Sequence, residues 1–87
     1  MNILFHKHFV KMHKRLPRRL QQQCEERIEL FLREPFNPML RNHALTGKFE
    51  GYRSINITGS VRAHFKVLTA DTIIFVRVGS HPELYGE

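Results

Sequence analysis

Cysteine is nearly absent from this chain, one long stretch contains no acid, and no apolar run is of membrane-spanning length. The single Cys24 has no partner for an internal disulfide, which points to a reducing compartment. A membrane helix needs roughly 18 or more apolar residues in a row, and nothing of that kind occurs, so no membrane partner is expected. The opening Met1 to His8 has no charged segment ahead of an apolar core and does not read as a secretion signal, so the expected location is the cytoplasm. There is no internal repeat, linker, low-complexity segment, phosphate-cradling glycine loop, paired acidic motif or Ser/His/Asp order. The 87 residues allow one domain, residues 1–87, because two cores in so short a chain would each be too small to fold unaided. A composition 41% hydrophobic and 25% charged excludes wholesale disorder.

Positive charge is in excess: 14 Lys and Arg against 8 Asp and Glu give a net charge of +6. Such a balance suggests an anionic partner, of which nucleic acid is the commonest for a small soluble domain. Lys7, Lys11, Lys14, Arg15, Arg18 and Arg19 follow one another with no acid between them, and Glu25, Glu26, Glu29 and Glu34 come after. Lys48, Arg53, Arg62, Lys66 and Arg77 are scattered through the later half. A charge run is explained equally well as a solvated helix face, and an acidic protein fits it as well as RNA does.

Asn2 to Phe5 is short, apolar and rich in strand formers. From His8 to about Arg15, Phe9, Met12 and Leu16 recur at helical spacing. Pro17 begins a second helix, where its missing N–H costs nothing. Leu20, Cys24, Ile28, Phe31 and Leu32 form its apolar stripe, and Pro35 with Asn37-Pro38 ends it. Residues Tyr52 to Ile57 alternate, with Ile55 and Ile57 toward a core and Ser54 and Asn56 away. After the Thr58-Gly59-Ser60 turn, Val61, Ala63, Phe65 and Val67 face the core while Arg62, His64 and Lys66 face solvent. Thr69-Ala70-Asp71 turns the chain into a near-continuous apolar run, Thr72 to Val78, as a central strand requires. The fold class is α+β: an N-terminal strand and a helical hairpin packed on a small antiparallel sheet.

His6, His8 and His13 crowd the first helix, but no Cys pair or fourth ligand accompanies them, so no metal site is expected. Cys24 lies on a helix's apolar stripe and reads as core rather than nucleophile. His43 stands in a loop before the sheet, and His81 follows the last strand. Arg53, Arg62 and Arg77 lie on successive strands and can converge on one surface. Imidazoles beside arginines are what phosphodiester cleavage by an internal 2′-hydroxyl needs: a base, an acid, and cations for the crowded phosphate. The bland readings are passive RNA binding by the arginines, turns for the glycines, Tyr85 capping the sheet edge, and Arg53 paired with Glu50 or Glu83.

The run Pro35-Phe36-Asn37-Pro38-Met39-Leu40-Arg41-Asn42-His43-Ala44-Leu45-Thr46-Gly47 resembles the helix-to-sheet junction of RelE/ParE superfamily toxins, in particular the YafQ-like branch. Gly51-Tyr52-Arg53-Ser54 and the closing Gly79-Ser80-His81-Pro82-Glu83-Leu84-Tyr85-Gly86 extend the resemblance, which covers residues 35–86. It implies a bacterial type II toxin, a metal-independent mRNA endoribonuclease acting in the ribosomal A site and held inactive by a cognate antitoxin. No cofactor is implied. The expected partners are the antitoxin, mRNA, 16S rRNA, and operator DNA only through the antitoxin complex. By position, His43 resembles the family's proton-transfer residue of the pre-sheet loop, Arg62 and Arg77 its phosphate-holding arginines, and His81 its general acid. Tyr85 resembles the aromatic that orients or stacks the base. Lys48, Arg53, Ser60 and His64 are candidate substrate-binding residues. Ser60 stands where many YafQ-like members carry an aspartate, and Asn56 replaces a family histidine. Serine is no base near neutral pH, so the main base falls to His43, with His64 a candidate to compensate. The alternatives are a ParE-like topoisomerase-poisoning toxin and a catalytically weakened RNA- or ribosome-binding homologue.

Overall fold

The computed structural model describes residues 1–86. Strand β1 (Asn2–Phe5) leads into helix α1 (Lys7–Arg15), whose first turn is capped by the His6 imidazole accepting from the His8 N–H at 3.0 Å. Helix α2 (Arg18–Arg33) starts after Pro17, and the Gln21 side-chain amide donates to the Leu16 carbonyl at 2.9 Å to fix the corner. A short 3₁₀ turn, Pro38–Leu40, buries Leu40 and passes the chain to strand β2 (His43–Ala44). Strands β3 (Arg53–Asn56), β4 (Val61–Thr69) and β5 (Thr72–Ser80) follow, and helix α3 (His81–Tyr85) closes the chain. No helix among the described residues is long and apolar enough to cross a membrane.

The sheet runs β1-β5-β4-β3-β2, all antiparallel except that β1 joins parallel to β5. The hairpin of α1 and α2 covers one face. Phe9, Cys24 and Phe31 from the helices are buried there against Ile55, Ile57, Val61, Ala63, Phe65, Ile73, Phe75 and Val78. Phe75 is the hub, with ring centroids of Phe5, Phe9, Phe31 and Phe65 within 6.0 Å. Burial pushes the Cys24 thiol, with help from Glu25, up to about 12, so it is an inert core group.

A register shift between β4 and β5 determines what the opposite face carries. His64 pairs with Arg77, but the next residue, Phe65, pairs with Phe75, so Val76 is the extra residue of a bulge. Strict alternation would send Phe75 and Arg77 to one face and Val78 to the other. The bulge lets Phe75 and Val78 both enter the core while Arg77 turns to the other side. This is why β5 reads as a continuous apolar run.

Several expectations are corrected. Val67 pairs with the buried Ile73 and so lies on the core face, but it is itself exposed rather than buried. Leu32 is exposed as well. Ser54 and His64 do lie opposite the core, but both are 0% exposed rather than solvated. His43 belongs to a two-residue edge strand rather than a loop.

Removing the hub ring leaves a cavity that four neighbouring rings cannot close. Phe75→Ala is expected to cost about 3–5 kcal/mol, read as a lower urea midpoint with unchanged slope.

Candidate active site

On the face away from the helices, four side chains form one row across the sheet. His43 of β2 pairs with Ser54 of β3, Ser54 with His64 of β4, and His64 with Arg77 of β5. Directly paired residues hold their Cβ atoms about 5 Å apart, so the row is close-set. Two residues along, Asn56 pairs with Arg62. Over these rows opens a cleft of about 420 Å³, lined by Arg41, Asn42, His43, Ser54, Asn56, Arg62, His81 and Tyr85. Among the described residues no acid lines it, so it is a cationic, polar concavity suited to an anion.

The His43 Nδ1 lies 2.7 Å from the Arg41 carbonyl. A carbonyl only accepts, so Nδ1 carries the hydrogen and Nε2 is left with its lone pair, the state of a general base. Arg41 supplies that carbonyl from a left-handed backbone conformation, φ 48°, at the end of the 3₁₀ turn. Arg62 Nη1 donates to the Thr58 and Gly59 carbonyls of the β3–β4 turn, each at 2.9 Å. These bonds leave Nε and Nη2 without protein hydrogen bonds among the described residues, and so a donor pair for a phosphate. His81 occupies the first turn of α3, which is held by a capping box. Ser80 Oγ accepts from the Glu83 N–H at 3.3 Å and the Glu83 carboxylate accepts from the Ser80 N–H at 2.9 Å. Hydrogen bonding from the Ser80 backbone N–H, and then from the Ser80 side chain, holds the Glu83 carboxyl below its ordinary range. The His81 ring lies 4.4 Å from that of Tyr85.

Below the cleft, His64 Nε2 is 2.8 Å from the Tyr85 hydroxyl and its Nδ1 is 3.4 Å from Arg77 Nη1. Arginine only donates, so Nδ1 must be the acceptor and Nε2–H the donor to Tyr85. Burial, then the Arg77 charge, then His43, pull His64 down to about 4, which keeps it neutral. The Arg77 guanidinium is itself flanked by Phe49 and Tyr52, with ring centroids at 4.6 and 5.0 Å.

Of the residues singled out from the sequence, His43, Arg62, His81 and Tyr85 share the cleft, with His64 beneath Tyr85. Arg77 reaches His64 and does not line the cleft. Three residues stand apart. Arg53 donates to Asn42 Oδ1 at 2.8 Å and packs on Phe36 instead of pairing with Glu50 or Glu83. Lys48 extends along Phe49. Ser60 lines a separate cavity with Met12, Leu16 and Leu20, and its carbonyl accepts from the His81 N–H at 3.1 Å. Arg41, Asn42 and Ser54 also line the cleft without a signal in the sequence, and Asn56, at the position of a family histidine, lines it with them. Arg41 lay within the run Pro35 to Gly47, but nothing in its sequence signals the left-handed turn that aims it. Ser54 Oγ is buried at the cleft floor with no hydrogen-bond partner among the described residues. The basic residues Lys7 to Arg19 are exposed on the helices and do not line the cleft. Among the described residues no three His, Cys, Asp or Glu side chains are placed to hold a metal ion.

No protein-family model and no curated protein matches this chain. Solved structures do. A chain of the RelB–RelE antitoxin–toxin complex from Methanococcus jannaschii is 30% identical, with 95% of each chain covered and a TM-score of 0.74. YafQ from E. coli strain BL21(DE3) is 21% identical, with 98% of each chain covered and a TM-score of 0.83. A YoeB/ParE toxin from Agrobacterium tumefaciens is 20% identical over 93% of this chain and 99% of its own, at a TM-score of 0.76.

A neutral buried imidazole has a signature in stability. The unfolded chain binds a proton at His64 near pH 6.5, whereas the folded protein resists it down to about pH 4. The unfolded state therefore holds more protons in that window, and stability should fall as the pH drops through it, with no such component above it. His64→Gln should remove that component, flattening the urea-midpoint profile between pH 6.5 and 4 by up to about 1.4 kcal/mol per pH unit.

Proposed function

The chain belongs to the RelE/ParE superfamily of toxins, and on that premise we propose that it is a type II toxin whose activity is endonucleolytic cleavage of mRNA in the ribosomal A site. The observation that carries this reading is the convergence of two imidazoles, two guanidiniums and a phenol on one cleft. A topoisomerase poison needs a binding surface but no such acid–base set.

In the proposed reaction His43 Nε2 removes the proton from a ribose 2′-hydroxyl, and the 2′-oxygen forms a bond to the adjacent phosphorus. Arg62, with Arg41 at the cleft wall, neutralises the charge gathering on the non-bridging oxygens. The bond from phosphorus to the 5′-oxygen breaks as His81, in its protonated form, supplies a proton to that oxygen. The products are a 2′,3′-cyclic phosphate and a 5′-hydroxyl end, and one proton has passed from His81 to substrate and one from substrate to His43. His43 keeps its Nδ1–H bond to Arg41 throughout, so the imidazolium is stabilised where it forms. In this scheme the missing carboxylate at Ser60 is no obstacle, because base, acid and cations are all supplied from the cleft.

A cationic cleft and a separate exposed row from Lys7 to Arg19 would bind RNA indiscriminately if left uncovered. We therefore assign a small antitoxin with acidic and apolar residues as the cognate partner, bound in the cytoplasm.

Mapping mRNA 5′ ends after induced expression tests the reading. New 5′-hydroxyl ends within translated frames are expected for the wild type, with His81→Ala and His43→Ala each slower by about 10²–10⁴-fold. Growth arrest without new ends would reject the nuclease. Co-expression with the protein encoded beside the toxin gene should give a complex stable at moderate salt; separate elution of the two chains would reject the antitoxin assignment.

A further inference from the structure

Among the described residues His64 is the larger of the two fully buried polar side chains, and it sits at the middle of β4, where a valine or leucine fills the space without desolvating an imidazole. Both of its nitrogens are engaged. Arg77 of β5 donates to Nδ1, and Nε2–H donates to the Tyr85 oxygen of α3. Phe49 stands edge-on to His64 and to Tyr85, with centroids at 5.5 and 5.4 Å, His43 approaches from β2, and Ser54 lies beside it on β3. Arg77 is flanked by the rings of Phe49 and Tyr52 and does not line the cleft.

The direction of the 2.8 Å bond matters for Tyr85. A phenol rotates its hydrogen between two in-plane positions, and an acceptor alongside would draw that hydrogen inward. Here the neighbour is a donor, because Arg77 has already claimed the only lone pair of His64. The Tyr85 oxygen must accept, and its hydrogen is turned to the side that remains, the cleft. We propose that His64, with Arg77 behind it, is a positioning residue that presents the Tyr85 hydroxyl as a hydrogen-bond donor to a non-bridging oxygen of the scissile phosphate. Tyr85 then neither gives up nor takes a proton; it stabilises the charge that develops between His43 and His81. The low proton affinity of His64 fits this arrangement, since a protonated ring would repel Arg77 and break the order of donors. This inference rests on the nuclease reading.

A double-mutant cycle tests it. Single-turnover cleavage would be followed on ribosomes programmed with a defined mRNA, for wild type, Tyr85→Phe, His64→Leu and the pair together. Tyr85→Phe should lower the rate at saturation about 10²-fold, the scale of one donor to a developing anion, with little change in the half-saturating concentration. His64→Leu should lose about tenfold in the Tyr85 background and nothing further when Tyr85 is already Phe. His64→Gln, whose amide N–H can donate from near the Nε2 position, should recover most of the loss. Should the Leu variant not fold, His64→Asn replaces it, because its carbonyl can still accept from Arg77 while its amide is too short to reach Tyr85. A tenfold loss that persists in the Tyr85→Phe background would overturn the proposal, as would full activity of His64→Leu or His64→Asn. Wild-type protein that cuts no message would reject the nuclease reading and this inference with it. Wild-type cleavage with additive losses would reject this inference alone.

Discussion

The bulge at Val76 is the constraint on which the site depends. It places Phe75 and Val78 on the core face of β5 and Arg77 on the other, which an unbroken strand could not do with the same three residues. The hub ring of the core and the cation under the cleft are thus two residues apart. Arg77 then meets His64 across the β4–β5 pairing, His64 meets Ser54, and Ser54 meets His43. Core packing and site geometry are set by the same register.

Electrostatics divides the labour on that row. His43 is exposed at the sheet edge, oriented by one carbonyl, with a lone pair to offer. His64, two strands inward, is buried between a guanidinium and a phenol and stays neutral. Two histidines in one row therefore have different roles because one can be solvated when it gains a proton and the other cannot. Arg62, tied by Nη1 to the turn beneath it, brings its remaining donors to the cleft at little further entropic cost.

Much of the fold was legible because the alternation is clean where it matters. Ile55 and Ile57, then Val61, Ala63 and Phe65, point one way and are buried, and Phe9 and Phe31 recur at helical spacing to meet them. The α+β class followed from that. The sequence did not reveal what covers the second face. His64 read as a wet-face residue because nothing in Val61 to Val67 signals that Phe49 and the closing helix return over it. Likewise, Arg53 and Arg77 look equivalent to Arg62 by strand position. Only the three-dimensional neighbours separate them: Asn42 and Phe36 hold the first, two rings clamp the second, and the third alone reaches the cleft. Ser60 stands where the resembled family carries an aspartate, yet it lines a separate cavity beside the helices while its carbonyl accepts from the His81 N–H.

The most direct test of this account is the tautomeric state of the two histidines, read from ¹⁵N–¹H correlations of the imidazole rings at neutral pH. The account predicts a neutral His64 with its hydrogen on Nε2, and His43 with a hydrogen on Nδ1. Loss of Tyr85 to Phe should move the His64 Nε2–H resonance while leaving its tautomer unchanged, because Arg77 still claims Nδ1. A protonated His64 at pH 7, or one carrying its hydrogen on Nδ1, would contradict the order of donors from Arg77 to Tyr85 on which the site is built.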